Sequence, residues 1–166
     1  MSTLSSQLTS IRCATALTPS GWQRNCVIKF DQSGRIESIR ENDDSAVDLC
    51  LEGTVIAGIP NLHSHAHQKV ITGRAEHRVA GQDDFWGWRE LMYRANASLN
   101  PEQLQTIATY LYIDMLQKGY TAVAEFHYLH HRPDGAPYAD RSEMSARLLN
   151  AASEAGIAIT LLPVLY

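Results

Sequence analysis

The chain has 166 residues, of which 45% are hydrophobic and 19% are charged, so it has about the length of one domain and can bury an apolar core. Its formal net charge is -4, its pI is about 5.9, and its basic residues are scattered along the chain. This balance excludes the basic field that gathers nucleic acid or anionic lipid.

The beginning of the chain has no positive region followed by an apolar stretch, so we expect no signal peptide. No apolar run approaches the roughly 18 residues that a membrane span requires, so we expect no membrane partner. Cys13, Cys26 and Cys50 are odd in number and widely spaced, which gives neither a disulfide framework nor a Cys-x-x-Cys site. We expect reduced, buried cysteines in a cytoplasmic protein.

Residues 8–50 are predicted to form short strands joined by tight turns. The segments "IRCATAL", "NCVIKF" and "RIESIR" are separated by the turn signals "TPSGW" and "DQSG". The acidic stretch "ENDDS" is expected to be a solvated loop. Because the pattern changes near Gly53, we place a β-rich segment at residues 1–53 and a second part at residues 54–166.

The second part alternates strands and helices. The apolar run "TVIAGIP" is typical of a strand buried on both faces of a parallel sheet, and residues 69–100 are predicted to be a long loop with a short helical piece. A helix is predicted from the cap Asn100 to Gly119, with one apolar face. That face consists of Leu104, Ile107, Ala108, Leu111 and Met115. The strand "YTAVAEFHY", a helix over about 142–155 and the strand "IAITLLPVLY" follow.

This order of elements predicts parallel strands joined by right-handed helical crossovers. Three such strands do not close a barrel, and the last would leave a hydrophobic edge open. A (β/α)8 barrel typically needs about 250 residues. Two interpretations follow, a small complete three-stranded α/β domain or the front portion of a larger barrel, and we favour a truncated barrel chain.

Three histidines at two-residue spacing follow the apolar run, in "NLHSHAHQK". Residues two apart in a strand point to the same side, so His63 and His65 are expected to project together from the strand end, where barrel active sites lie. Two neutral imidazoles there can bind one divalent ion with at least two further ligands from elsewhere. Ordinary structural histidines are the alternative. His67 would share their side only if the strand continued.

The motifs "GIPNLHSHAHQK", "DDFWGWRELMYR", "GYTAVAEFHYLHH" and "TLLPVLY" resemble the amidohydrolase superfamily, and within it the enzymes that deiminate N-formimino-L-glutamate. The resemblance implies a (β/α)8 barrel with a small β-sandwich and one catalytic Zn²⁺ per full-length chain. His63 and His65 match the first two zinc ligands of the family. The remaining ligands and the acid/base groups are expected beyond Tyr166. It also implies a homodimer.

The same resemblance implies that Gln68, Arg89 and Tyr128 contact the substrate. An Arg guanidinium can hold a carboxylate with two parallel hydrogen bonds, while an amide and a phenol suit the polar ends of a small molecule. The alternatives are a surface position for Arg89 and a packing role for Tyr128.

The remaining histidines have no ligand role that the resemblance supplies. His67 departs from the family motif, in which we expect phenylalanine at this position. His127 and Tyr128 point to opposite faces of a regular strand, so both are not expected to line the pocket. We expect His127, His130 and His131 to be loop histidines or histidines that support the site from outside it.

The function implied for the complete protein is hydrolysis of N-formimino-L-glutamate to N-formyl-L-glutamate and ammonia, a step of histidine degradation. One alternative is another aminohydrolase of the superfamily, of the guanine or cytosine deaminase type, because the His-x-His pair is shared among them. A second alternative is a noncatalytic truncated module. We expect the 166-residue chain to be inactive alone.

Overall fold

The computed structural model describes residues 8–74 and 85–165, and it divides into two compact units, Met1–Ala57 and Gly58–Tyr166. None of the helices within the described residues combines the length and the apolar character needed to cross a membrane.

The first unit contains a four-stranded sheet. Its strands are β1 (Ser10–Thr18), β2 (Gly21–Phe30), β3 (Ile36–Arg40) and β4 (Leu49–Val55). They lie in the order β3-β2-β1-β4, with β1 antiparallel to β2 and parallel to β4. The predicted strands and turns of this region are confirmed. Gly21 and Gly34, with φ of 99° and 79°, occupy the left-handed conformation that these turns require.

The core of the first unit is a small cluster of buried side chains. The cluster consists of Ile11, Cys13, Ala16, Cys26 and Ile28. Cys13 lies opposite Cys26 on the neighbouring strand, and burial raises the pKa of both thiols. All three cysteines are free, but the expectation that all are buried was wrong for Cys50, which is exposed on β4. The reason is that Cys50 alternates along β4 with Leu51, which packs against the core cluster, so Cys50 lies on the other face of the strand.

The second unit is a parallel three-stranded sheet with helices, as the alternating pattern predicted. Its strands lie in the order β5-β6-β7, and β6 pairs in parallel with both neighbours. The elements are β5 (Ile59–Ser64), a 3₁₀ helix (Ala66–Ile71), α1 (Phe85–Asn96), α2 (Pro101–Gln117), β6 (Tyr120–His127), α3 (Glu143–Ala155) and β7 (Ala158–Pro163). The short helical piece expected between residues 69 and 100 is the 12-residue helix α1. Residues 75–84 of the expected loop lie outside the described residues.

The run "TVIAGIP" is not one strand, contrary to the prediction. Thr54 and Val55 end β4 by pairing with β1, whereas Ile59 begins β5 in the other sheet. The division between the units therefore falls after Ala57, later than the change in pattern near Gly53 suggested. Apolar character alone does not tell which partner strand a residue joins. The junction glycine also has a packing role, because a Cβ on Gly58 would lie 2.2 Å from Thr121 Oγ1.

Helix α2 begins as its sequence predicts. The Asn100 side chain accepts a hydrogen bond from Gln103 N at 2.8 Å, and the Gln103 side chain accepts one from Asn100 N at 3.0 Å. This reciprocal capping box satisfies two backbone donors at the helix start. The helix ends at Gln117, just before Gly119, whose φ is 87°.

The buried faces of α2 and α3 form one apolar cluster with β6. The fully or nearly fully buried members on the helices are Leu104, Ala108, Tyr112, Met115, Met144, Leu148, Ala151 and Ala152. Ile107 and Leu111 were expected to be inward and are half-buried, while Tyr112, which was not anticipated, is completely buried. Each fully buried Leu or Met contributes roughly 1.5–3 kcal/mol to folding. This cluster supports the sheet edge at which the candidate site lies.

Candidate functional site

The two predicted histidines meet at the carboxyl end of β5. His63 lies in the strand and His65 follows its last residue, and the two Nε2 atoms are 3.1 Å apart. His65 Nδ1 lies 3.0 Å from the Phe126 carbonyl oxygen on β6. Because a carbonyl only accepts, Nδ1 carries a proton in this contact. In the neutral ring Nε2 then keeps its lone pair, and Nε2 faces Nε2 of His63.

The geometry of this pair fits two ligands of one zinc ion. Zinc–nitrogen bonds of about 2.05 Å at the tetrahedral angle place two nitrogen atoms roughly 3.3 Å apart. The observed separation of 3.1 Å is close to that value. Within residues 8–74 and 85–165, no group of three or more His, Cys, Asp or Glu side chains could hold a metal ion. The described residues thus bring together two imidazole nitrogens at a spacing suited to one metal ion.

Gln68 and Tyr128 lie beside the pair, as a common site requires. Gln68 Nε2 donates to Tyr128 Oη at 2.8 Å, which links the 3₁₀ helix to the residue after β6. The Tyr128 ring lies edge-on to the His65 ring, with centroids 5.3 Å apart. An open pocket of about 510 Å³ is lined by His63, His65, Gln68, Trp88 and other residues of the second unit.

Arg89 lies on α1, which flanks the same pocket. Its Nε donates to Tyr93 Oη at 3.1 Å, and its guanidinium carbon lies 5.2 Å from the centre of that ring. Met92, one turn further along α1, accepts from Gln68 Nε2 at 3.5 Å and from Tyr128 Oη at 3.3 Å. The three residues expected to contact substrate therefore lie on elements that meet around Met92.

The strand does not continue to His67, which lies in the 3₁₀ helix and is buried. Its ring packs edge-on against Tyr128 with centroids 4.6 Å apart. Burial, with smaller effects of His65 and His127, lowers the pKa of His67 to about 3. The imidazole is therefore neutral at ordinary pH.

His127 is the other buried histidine, at the end of β6. Burial, aided by His130, lowers the pKa of His127 to about 4. Its ring packs edge-on against His130, whose Nε2 lies 2.9 Å from the Val164 carbonyl oxygen. We expected His127 and Tyr128 to point to opposite faces of a regular strand. Tyr128 instead follows the last residue of β6, where the alternation of a strand no longer applies. His131 is exposed.

Glu125 was not anticipated from the sequence. It is completely buried on β6, lies opposite Ser64 of β5, and accepts a hydrogen bond from the Ala66 backbone N–H. Burial raises the pKa of Glu125, while nearby Ser64, Ala66, Tyr112 and His63 act in the opposite direction. The available signal was a carboxylate within the apolar strand "TAVAEFH".

The sequence and the structure were compared with those of known proteins. No family model matches the sequence. The chain is 52% identical over 161 residues, 96% of its length, to formimidoylglutamate deiminase of Pseudomonas aeruginosa, and it covers 35% of that protein. It is 46% identical to an amidohydrolase from Brucella melitensis of known crystal structure, with a TM-score of 0.88, covering 95% of this chain and 35% of that one.

A more distant structure has the same fold. Atrazine chlorohydrolase from Arthrobacter aurescens TC1, complexed with zinc, is matched with a TM-score of 0.71 at 18% identity, over 93% of this chain and 35% of that one. The chain thus has the mixed α/β fold of the N-terminal portion of amidohydrolase-superfamily proteins. It spans about a third, 35%, of the length of the relatives that it matches.

Proposed function

We propose that this chain is the N-terminal portion of an amidohydrolase that hydrolyses N-formimino-L-glutamate to N-formyl-L-glutamate and ammonia with the help of zinc. The observation that carries the proposal is the His63–His65 pair, with Nε2 atoms 3.1 Å apart at the end of a parallel strand. The 52% identity to a formimidoylglutamate deiminase supports the choice of substrate within the superfamily.

His63 and His65 would hold the metal ion. The Phe126 carbonyl fixes the His65 ring through Nδ1, and the Asn61 side chain accepts from His63 N at 3.1 Å, which orders the backbone between them. A zinc ion bound there supplies Lewis acidity that makes water nucleophilic near neutral pH. The remaining ligands and the groups that move protons are assigned to the rest of the complete enzyme.

Gln68, Tyr128 and Arg89 would orient the substrate. The hydrogen-bonded Gln68–Tyr128 pair offers a donor and an acceptor next to the His65 ring, where the reacting end of a small molecule would lie. Arg89 would hold a carboxylate of the glutamate portion with two parallel hydrogen bonds, while Tyr93 supports its Nε side. Trp88 and Met115 contribute apolar side chains to the lining of the pocket.

The reaction is tested with the complete product of the gene that encodes this chain. Ammonia release is measured with N-formimino-L-glutamate, guanine and cytosine under identical conditions. We expect release of ammonia from N-formimino-L-glutamate. We expect Arg89→Lys to raise KM more than it lowers kcat, because a lysine cannot form the two parallel hydrogen bonds to the substrate carboxylate. Activity on a ring substrate alone would contradict the proposal and favour a deaminase of the guanine or cytosine type.

The homodimer that the resemblance implies and the cytoplasmic location expected from the cysteines are part of the proposal. Light scattering of the complete gene product tests the dimer, and cell fractionation tests the location. A complete, folded gene product without activity on any of the three substrates would favour a noncatalytic module.

A further inference from the structure

The turn that follows His65 is held from the neighbouring strand. Glu125 of β6 accepts a hydrogen bond from the Ala66 backbone N–H, and the next residue, Phe126, accepts one at its carbonyl from His65 Nδ1 at 3.0 Å. Two consecutive residues of β6 therefore fix the backbone immediately after His65 and the orientation of its ring.

Ordinary sheet pairing does not supply this restraint. The register between β5 and β6 shifts between Asn61 and Ser64, so the ladder is irregular where the histidine pair lies. Ala66 and Glu125 are both completely buried, so water does not replace the hydrogen bond between them. A buried amide without an acceptor is costly, and the turn would move to find one.

We infer that Glu125 is a positioning residue for the histidine pair, acting through the Ala66 amide to hold His65 Nε2 beside His63 Nε2. The inference rests on the proposed function where it concerns zinc. The hydrogen bond to Ala66 is made by Oε1, whereas Tyr112 of α2 lies near the carboxyl group from the core side. The hydrogen bond to Ala66 can therefore be tested separately from the contact between Glu125 and Tyr112.

Three substitutions in the 166-residue chain separate these roles. Glu125→Gln keeps an acceptor oxygen for Ala66, and its amide group can donate to Ser64 or Tyr112. Glu125→Met keeps a side chain of similar volume but has no oxygen. Tyr112→Phe removes the hydroxyl on the core side and leaves the hydrogen bond to Ala66 in place.

The first readout is the tautomer of His65 in the metal-free chain, measured by ¹⁵N NMR of the imidazole rings. We expect a single Nδ1–H tautomer in the unsubstituted chain, in Glu125→Gln and in Tyr112→Phe. In Glu125→Met we expect a mixture of tautomers, because the ring loses its fixed position relative to Phe126. Circular dichroism and thermal unfolding establish that each variant is folded.

The second readout is affinity for Zn²⁺, measured by competition with a chromophoric chelator. We expect Glu125→Met to bind zinc at least about tenfold more weakly, as is typical for loss of a residue that supports a ligand, and Glu125→Gln to stay within about threefold. If Glu125→Met does not fold, Glu125→Asp is used instead. Its shorter side chain draws the carboxylate away from Ala66, so we again expect weaker binding of zinc.

The outcomes distinguish this inference from the proposed function. An unchanged His65 tautomer and unchanged zinc affinity in folded Glu125→Met would overturn the positioning role. Equal losses in Glu125→Gln and Glu125→Met would also overturn it, because charge rather than the hydrogen bond to Ala66 would then be responsible. Zinc binding that persists without His63 and His65 would contradict the metal site alone, and the tautomer comparison would still decide the role of Glu125.

Discussion

The two units of the molecule differ in the polar side chains that they bury. In both units carboxylates form hydrogen bonds at the surface, as when Asp48 accepts from the backbone N–H groups of Thr9 and Ser10 at 2.9 Å each, and Asp140 from that of Ser142 at 2.8 Å. In residues 58–165, the second unit, further polar side chains are buried. Among the described residues, the buried histidines and carboxylates, His67, Glu125 and His127, all belong to this second unit.

This difference affects stability. Surface carboxylates order turns at little desolvation cost, whereas a buried polar atom without a partner costs roughly 1–3 kcal/mol. Within the described residues, the buried side-chain atoms without a hydrogen-bond partner include Arg12 Nε in the first unit and, in the second, His67 Nε2, Glu125 Oε2 and both ring nitrogens of His127. His67 lies beside His65, with ring centroids 6.0 Å apart, whereas His127 packs against His130.

The largest effect on stability is expected from substitution of Gly58, and we expect it to destabilise the second unit alone. In Gly58→Ala the new Cβ would lie 2.2 Å from Thr121 Oγ1, so we expect a loss of about 2–3 kcal/mol, typical of overpacking. Hydrogen exchange with mass spectrometry should show faster exchange in peptides of β5 and β6, and unchanged exchange in β1 and β2.

The matched control is Gly53→Ala in β4, where a Cβ meets nothing within 4 Å. We expect its free energy of unfolding to stay within about 0.5 kcal/mol of the parent value. Equal destabilisation by the two substitutions would mean that the close approach of Gly58 to Thr121 is not what limits this position.

A second prediction concerns the pH dependence of the stability of the second unit. The pKa of His127 falls from its usual 6.5 to about 4 on folding, so the unfolded chain binds more protons between these values. The contribution of neutral His127 to the free energy of unfolding is fully present above pH 6.5 and is lost as the pH falls toward 4. Between pH 7 and 5 we expect a loss of about 2 kcal/mol from this group.

Urea unfolding of the metal-free chain at pH 7 and pH 5 measures this loss. We expect His127→Leu to reduce the difference between the two pH values by about that amount, while His131→Leu, at an exposed position, leaves it unchanged. A pH dependence that is the same in His127→Leu and in the parent would refute the assignment.

The smallest effect is expected in the first unit. Hydrogen bonds from Thr9 and Ser10 lower the pKa of Asp48, so its contribution is present above the pKa of the unfolded chain and is lost as the pH falls through the lowered value. We expect Asp48→Asn to lower the melting temperature slightly at pH 7 and to have a smaller effect at pH 2. Equal effects at both pH values would show that the carboxylate charge is not involved.

Local chemistry made most of the second unit predictable from sequence. The cap Asn100 predicted the start of α2. The alternation of strands and helices predicted the parallel order of β5, β6 and β7. The His-x-His spacing likewise predicted that the two rings lie together, although His65 follows the last residue of β5 and its ring is held by the Phe126 carbonyl oxygen.

Features that depend on partners distant in the chain were not predictable. The run "TVIAGIP" splits because Val55 pairs with β1 and Ile59 with β6, which no local pattern encodes. Glu125 and Tyr112 were missed for the same reason. A carboxylate in an apolar strand acquires its role only when another strand brings the Ala66 amide to it.

The most direct test of the central claim, that His63 and His65 provide half of a zinc site, is zinc binding by the 166-residue chain after dialysis, with ammonia release assayed in parallel. We expect weak binding and no release from N-formimino-L-glutamate, because two imidazoles leave two positions of a tetrahedral ion to water. The double substitution His63→Ala and His65→Ala should abolish this binding, and His131→Ala should preserve it. Unchanged binding in the double variant, or one tightly held zinc with turnover in the unsubstituted chain, would contradict the account.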